Sequence, residues 1–436
     1  MRRLIVAAAT LVCVAACDGD PRGDAGLDYL YGSPSERRQV LQASLGATDN
    51  VYARLRRAHY ATGDARDWDA LPVWNPRVEA VTTSDLAGAR TLIADADFAA
   101  VPRALVLPSV DSRSAADAQV DVLSTALEHL GREAFFRYPV HLMPLHARLD
   151  AADVARYGLW VDGEHGLGGL VRAEMADGTA RLAFTCSTCH AASANGSLVV
   201  GLGNASLDLG GWLADTLDSA PPSPSSPLSA VDASLLRLWG PGRIDAVTAS
   251  GRLPVAIPDL RPIRWLTHLH HEGNLLQIDR QALAIRLETL IITSHGESLR
   301  PPRELALGLA HYLWTLAAAL PDTAAQKQRG REAFAAGRCS ACHAGPGMTG
   351  PPVDVAIVGT DPVVARDPDR GTGHYRVPSL RGVGSRGILL HDGSFRSLET
   401  MFDARRRAGT AAPAHPFGLG LPDSQRVDLI DFLRSL

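Results

Sequence analysis

Apolar residues recur at helical spacing in several stretches of the chain. Val120, Leu123, Leu127 and Leu130 share one face of a segment running from Ala115 to Arg137, because side chains three and four apart meet on a helix. Similar patterns predict helices over Arg38–Tyr60, Arg280–Ser294 and Pro301–Leu320, and one that closes the chain. The period changes after Gly169. Leu170 to Met175 and Arg181 to Phe184 flank Asp177-Gly178, which predicts a β-hairpin with an Asp-Gly turn. The Pro/Ser-rich Ala220 to Pro227 reads as loop. The predicted class is mainly α with minor β.

The pattern also repeats. Leu309 to Leu316 and Leu429 to Leu436 both fit L-x-x-[YF]-L-x-[TS]-L. Ahead of each stands a His-acid-Gly element, His271-Glu272-Gly273 and His391-Asp392-Gly393. Ahead of those stand Cys186-Ser-Thr-Cys189-His190 and Cys339-Ser-Ala-Cys342-His343. The chain reads twice in one order, the signature of a duplicated unit. This predicts two cytochrome c-like haem domains over residues 163–320 and 321–436, behind an N-terminal helical extension over 37–162. Asp322 is placed to cap the helix that enters the second motif.

The N-terminus reads as an address. Arg2 and Arg3 precede an apolar run, Leu4 to Ala16, too short to span a bilayer as a helix. Val14-Ala15-Ala16-Cys17 resembles the lipobox of bacterial lipoproteins. The expectation is a signal peptide over 1–16, lipidation at Cys17, and a Gly/Asp-rich tether over 17–36. That implies the periplasm of a Gram-negative bacterium and membrane attachment by the lipid alone. The formal net charge of −4, with no extended Lys/Arg block, excludes a nucleic-acid partner.

Cysteine usage sharpens the chemistry. Of six cysteines, Cys13 lies in the signal and Cys17 is the lipid site; the other four all lie in the repeated motifs. A thioredoxin-like pair does not require the following His, and a structural zinc site leaves both histidines unexplained. Covalent haem attachment uses all three residues. Two haem c groups are therefore predicted, bonded at Cys186 and Cys189 and at Cys339 and Cys342, with His190 and His343 as axial iron ligands. For the far side of the second iron, His415 and Met401 are the candidates, since Met348 lies too close to His343. For the first, His268, His270 and His271 are the candidates. Arg376, Arg381 and His391 are candidates for holding haem propionates or supporting the site.

The segment Arg376 to Phe402, RVPSLRGVGSRGILLHDGSFRSLETMF, resembles the second haem domain of the bacterial dihaem cytochrome c peroxidase superfamily. The tail AHPFGLGLPDSQRVDLIDFLRSL is most similar to its rubber-oxygenase-like dihaem branch. That resemblance implies a His ligand at His415 in preference to Met401. It spans roughly Gly163 to Leu436. The chain departs from the pattern at His271-Glu272, where Trp-Asp is usual, and Glu272 is the nearest acid for assisting O–O cleavage. The expected function is electron transfer between redox partner proteins. The alternatives are a peroxidase or oxygenase with an open first iron, and a non-catalytic haem-based sensor.

Overall fold

The computed structural model describes residues 27–46, 49–59, 68–86, 120–143, 149–219, 232–245, 251–277, 279–319, 327–408 and 413–436. The signal segment, Cys17, the first part of the tether, Ala115 to Gln119, Ala220 to Pro227 and Asp322 lie outside them. Among the described residues the chain is mainly helical with short strands, as expected.

The N-terminal segment differs from the sequence expectation in two ways. Residues 27–36 are not tether: Leu27–Tyr31 is helical and Tyr29 is fully buried. The single helix expected over Arg38–Tyr60 is two, Pro34–Leu45 and Val51–His59. Ser33 and Glu36 form a reciprocal capping box at the start of the first. Gly46 follows its last turn at φ 56°, a conformation that costs glycine little.

Three longer helices, Val120–Arg137, Arg280–Ser294 and Arg303–Thr315, form the main core with these segments. The first and third approach at Gly131 and Gly308. A Cβ added to Gly131 would stand 1.9 Å from the Gly308 carbonyl oxygen, so only glycine allows this contact. Tyr29, Leu41, Leu45, Tyr52 and Trp68 are buried in the same core as Leu305, Leu309 and Leu313. The N-terminal helices thus complete the core of the first motif.

The hairpin forms as its sequence predicts. Leu170–Glu174 pairs antiparallel with Ala180–Phe184, and Gly178 takes φ 80° in the turn. Val78–Ala80 and His141–Leu142 add one strand on either side, making a four-stranded sheet. Its last central strand runs through Thr185 into the five-residue helix Cys186–His190.

In the C-terminal part, helix Gln328–Ala336 packs on helix Asp423–Arg434. Gly330 lets them close: an added Cβ would lie 2.3 Å from Phe432 Cβ. Leu429, Phe432, Leu433 and Leu436, the apolar positions of the repeated pattern, are all buried.

Candidate haem sites

At the second motif, Cys339–Ala341 forms a 3-10 turn entered through Arg338 at φ 63°, and the His343 amide donates to the Cys339 carbonyl at 2.9 Å. The turn presents Cys339, Cys342 and His343 to a cavity that residues from both halves of the chain line. Its walls are largely apolar, including Phe334, Leu389, Leu398 and Phe402. The His343 Nδ1–H donates to the Met348 carbonyl, 3.2 Å away. That fixes the tautomer and leaves Nε2 as the ligating nitrogen. Burial lowers this imidazole to about 4, so it is neutral, as a metal ligand must be.

His415 lies across the same cavity. Its amide donates to the Val358 carbonyl at 2.9 Å, and its backbone is left-handed at φ 49°. Burial, and next the nearby His343 imidazole, lower it to about 4. Its Nδ1 is buried without a hydrogen-bond partner, an unusual state for a polar atom. Met401 is buried and lines the cavity too. Two thiols, two neutral facing imidazoles and apolar walls are the donor set a haem needs, and the residues present fit one.

The first motif is built alike. The Thr185 and Thr188 hydroxyls donate to the Gly169 carbonyl at 2.9 and 3.0 Å, and Trp160 Nε1 donates to the Ser187 carbonyl at 3.0 Å. These bonds pin the turn to the sheet. Cys186, Cys189 and His190 keep partial exposure. Even so, burial raises both thiols to about 12 and lowers the imidazole to about 4. The His190 Nδ1–H donates to the Pro258 carbonyl at 3.0 Å. In both halves, therefore, a backbone carbonyl orients the motif histidine.

Pro258 opens a second repeat that the sequence reading passed over. Pro258-Asp259-Leu260-Arg261 and Pro378-Ser379-Leu380-Arg381 stand at matching places. Each leads into a 3-10 turn, Ile263–Trp265 and Val383–Ser385, and then into the His-acid-Gly element. His270 and Leu390 share φ values of 60° and 67°, as do Gly273 and Gly393 at 66° and 67°. The two copies hold each other reciprocally. The Ala256 amide donates to the His391 carbonyl at 2.7 Å, and the Arg376 amide to the His271 carbonyl at 2.7 Å. Arg261 donates to the Gly382 carbonyl and to Ser385 Oγ, while Arg386 Nε pairs with Asp259 at 3.0 Å.

This reciprocity places the remaining candidates. His271 lines the cavity of the second motif, with Nε2 donating to the Ala256 carbonyl at 2.8 Å. His270 has both ring nitrogens engaged, Nδ1 by Asn274 at 2.7 Å and Nε2 by Arg286 at 2.8 Å. His268 is half-buried, with Nδ1 3.0 Å from the Thr267 hydroxyl. Glu272 is not placed for proton transfer. It is fully buried, with both oxygens gripped by Arg370 at 2.9 and 3.0 Å. Arg370 also pairs with the buried Asp245 at 3.3 Å. His391 is bonded to the Tyr375 hydroxyl at 3.0 Å and lines the second cavity. Arg376 and Arg386 line it as well; Arg381 instead donates to the Pro346 carbonyl and packs over Trp265. Arg386, Asp259 and Pro258 escaped the sequence reading, although the second P-x-L-R was visible.

Comparison with known proteins bears on the second site. Residues 327–436 match the cytochrome c family. The C-terminal part of the chain is a cytochrome c domain. Two solved structures are also similar. One is a MauG-like protein associated with microbial copper homeostasis, 17% identical, covering 45% of this chain and 78% of its own, with a TM-score of 0.32. The other is hydrazine synthase of Kuenenia stuttgartiensis, 17% identical, covering 42% and 72%, with a TM-score of 0.28. No curated protein matches. The cytochrome c match agrees with the resemblance to the dihaem cytochrome c peroxidase-like superfamily, and the chain is a haem-containing redox protein.

Proposed function

We propose that the chain is an exported dihaem c-type cytochrome that passes single electrons between partner proteins. The observation that carries this reading is the repeated geometry: each CxxCH histidine has Nδ1 tied to a backbone carbonyl, 3.0 Å at His190 and 3.2 Å at His343. Bound haem supplies an iron that cycles between two oxidation states. The residues do the rest. At the second site Cys339 and Cys342 would hold the haem, His343 and His415, which line the same cavity, would ligate its iron, and the apolar wall would keep water away. Cys17 would hold the chain at the membrane after export, within reach of redox partners.

A second reading, peroxidase or oxygenase chemistry at the first site, has its own support. His270 is fully engaged and His271 faces the second cavity. Neither is then free to close the far side of the first iron, so of the three candidates only His268 remains for it, and without His268 there a small ligand could bind.

Optical and EPR spectra of both oxidation states test the two together. Two low-spin haems, unresponsive to carbon monoxide or peroxide, support the pure carrier. One high-spin haem that binds either ligand moves the function to the second reading. A chain without covalently bound haem refutes both.

A further inference from the structure

A group of buried donors sits in the core of the first half, and its two arginines form no ion pair among the described residues. Arg286, on helix Arg280–Ser294, donates from Nε to His270 Nε2 at 2.8 Å. Guanidinium can only donate, so His270 accepts there, and its Nδ1–H donates to the Asn274 side-chain oxygen at 2.7 Å. Tyr52 packs edge-on against the His270 ring at 5.3 Å. Arg56 lies over the face of Tyr52, 3.4 Å from the ring centroid. Burial, and next the neighbouring Arg286, lower Arg56 to about 10 against the opposing pull of Tyr52 and the Glu297 carboxylate. Arg286 Nη1, Arg56 Nε, the Tyr52 hydroxyl and His295 Nδ1 are all buried without hydrogen-bond partners.

Several other buried arginines are ion-paired, although among the described residues Arg376, which lines the second cavity, is not. Arg37 and Arg303 share Asp69, Arg370 holds Glu272 and Asp245, and Arg261 and Arg386 flank Asp259. Among the described residues no carboxylate lies within ion-pairing distance of Arg56 or Arg286. Glu272, 4.0 Å from His270, is already committed to Arg370. Buried cations are retained where something compensates them, so this cluster of unpartnered donors is suited to an anion.

The surroundings point to which one. Leu283, Leu287 and Leu290 flank Arg286 on its helix, and together with Tyr52 and Ala191 they form or pack on the core that Cys186 also packs against. A haem bonded at Cys186 and Cys189 carries its two carboxylates on the edge away from the thioether bonds. We propose that Arg56 and Arg286, with the Tyr52 hydroxyl, hold the propionates of the haem attached at Cys186 and Cys189. Helix Val51–His59, from a region with no recognisable motif, is then part of the first haem site. This inference rests on the haem reading above.

Haem stoichiometry of the intact protein is measured first, by the pyridine haemochrome assay. If C186S/C189S does not lower it, the haem reading fails at this site. Arg286→Met and Arg56→Met are then made in the intact protein and in C186S/C189S. In the two-haem protein each should lower the melting temperature by several degrees. Each should also move the midpoint potential of one haem downward, since loss of a nearby cation favours the ferric state, while Arg286→Lys stays near the parent value. In C186S/C189S the same substitutions should lower the melting temperature less, because no propionate contact is lost there. Equal destabilisation in both backgrounds, unmoved potentials, or a changed carbon monoxide spectrum without a potential shift would overturn the proposal. Should Arg286→Met fail to fold, Tyr52→Phe in both backgrounds reads the same difference.

Discussion

The two CxxCH motifs carry the same five-residue pattern in different settings. The second sits in a small unit, where one turn and one closing helix supply most of the cavity around His343, with Ala256 to Asp259 and His271 added from the first half. His415 and Met401 reach its cavity from the same stretch of chain. The first is assembled from distant pieces: Gly169 and Trp160 pin its turn, Pro258 orients His190, and helices before residue 60 close its core. The His-acid-Gly elements diverge in the same way. Glu272 is fully buried and bound by Arg370, whereas Asp392 is half-buried and accepts only the Ser394 amide at 3.1 Å. A duplicated motif thus need not keep duplicated surroundings, because the extra chain of the first half has taken over its interior.

The largest test of that difference removes a haem. Cys339→Ser with Cys342→Ser should cut covalently bound haem by about half, one of two sites. Cys186→Ser with Cys189→Ser should do the same, as read by the pyridine haemochrome assay. Unequal losses would show that one motif is not a haem site.

Glu272→Gln comes next. It leaves Arg370 buried with only Asp245 and should cost about 3–5 kcal/mol in chemical denaturation. Asp392→Asn should cost about 1 kcal/mol or less, since the amide oxygen can still accept the single exposed Ser394 N–H. Similar costs at both positions would erase the contrast drawn between the elements.

His415→Ala should turn the second haem from low to high spin, with Met401→Ala leaving it low spin; the reverse would assign the ligand to Met401. His270→Ala should destabilise the fold by about 1–3 kcal/mol by stranding buried Arg286 and Asn274. It should leave the spin state of the first haem unchanged, as EPR would read.

The smallest effect is one of pH. Burial, helped by the neighbouring His295 and Arg286, lowers His141 from 6.5 to about 4. The unfolded chain therefore takes up this proton first on acidification. Stability from His141 is complete above pH 6.5 and is lost as pH falls toward about 4. His141→Gln should flatten the melting-temperature profile in that window alone.

Much of this was legible along the chain. Local spacing shows both CxxCH motifs, the hairpin with its Asp-Gly turn, and the closing helices, since each depends on residues within a few positions of one another. His271 was not legible as a neighbour of the second motif. It reaches that cavity only because two P-x-L-R segments pair reciprocally with opposite His-acid-Gly turns. Glu272 looked available for chemistry until its partner, Arg370, proved to be nearly a hundred residues away in sequence.

The sequence by itself determined where haem attachment is to be expected, because such attachment needs two cysteines and a histidine at fixed local spacing. Tertiary structure alone decided which groups face each motif, because burial, counter-charges and orienting carbonyls come from segments far apart in the chain. The helices before residue 60 show the limit most plainly. They carry no motif, and only packing reveals that they close the core around the first one.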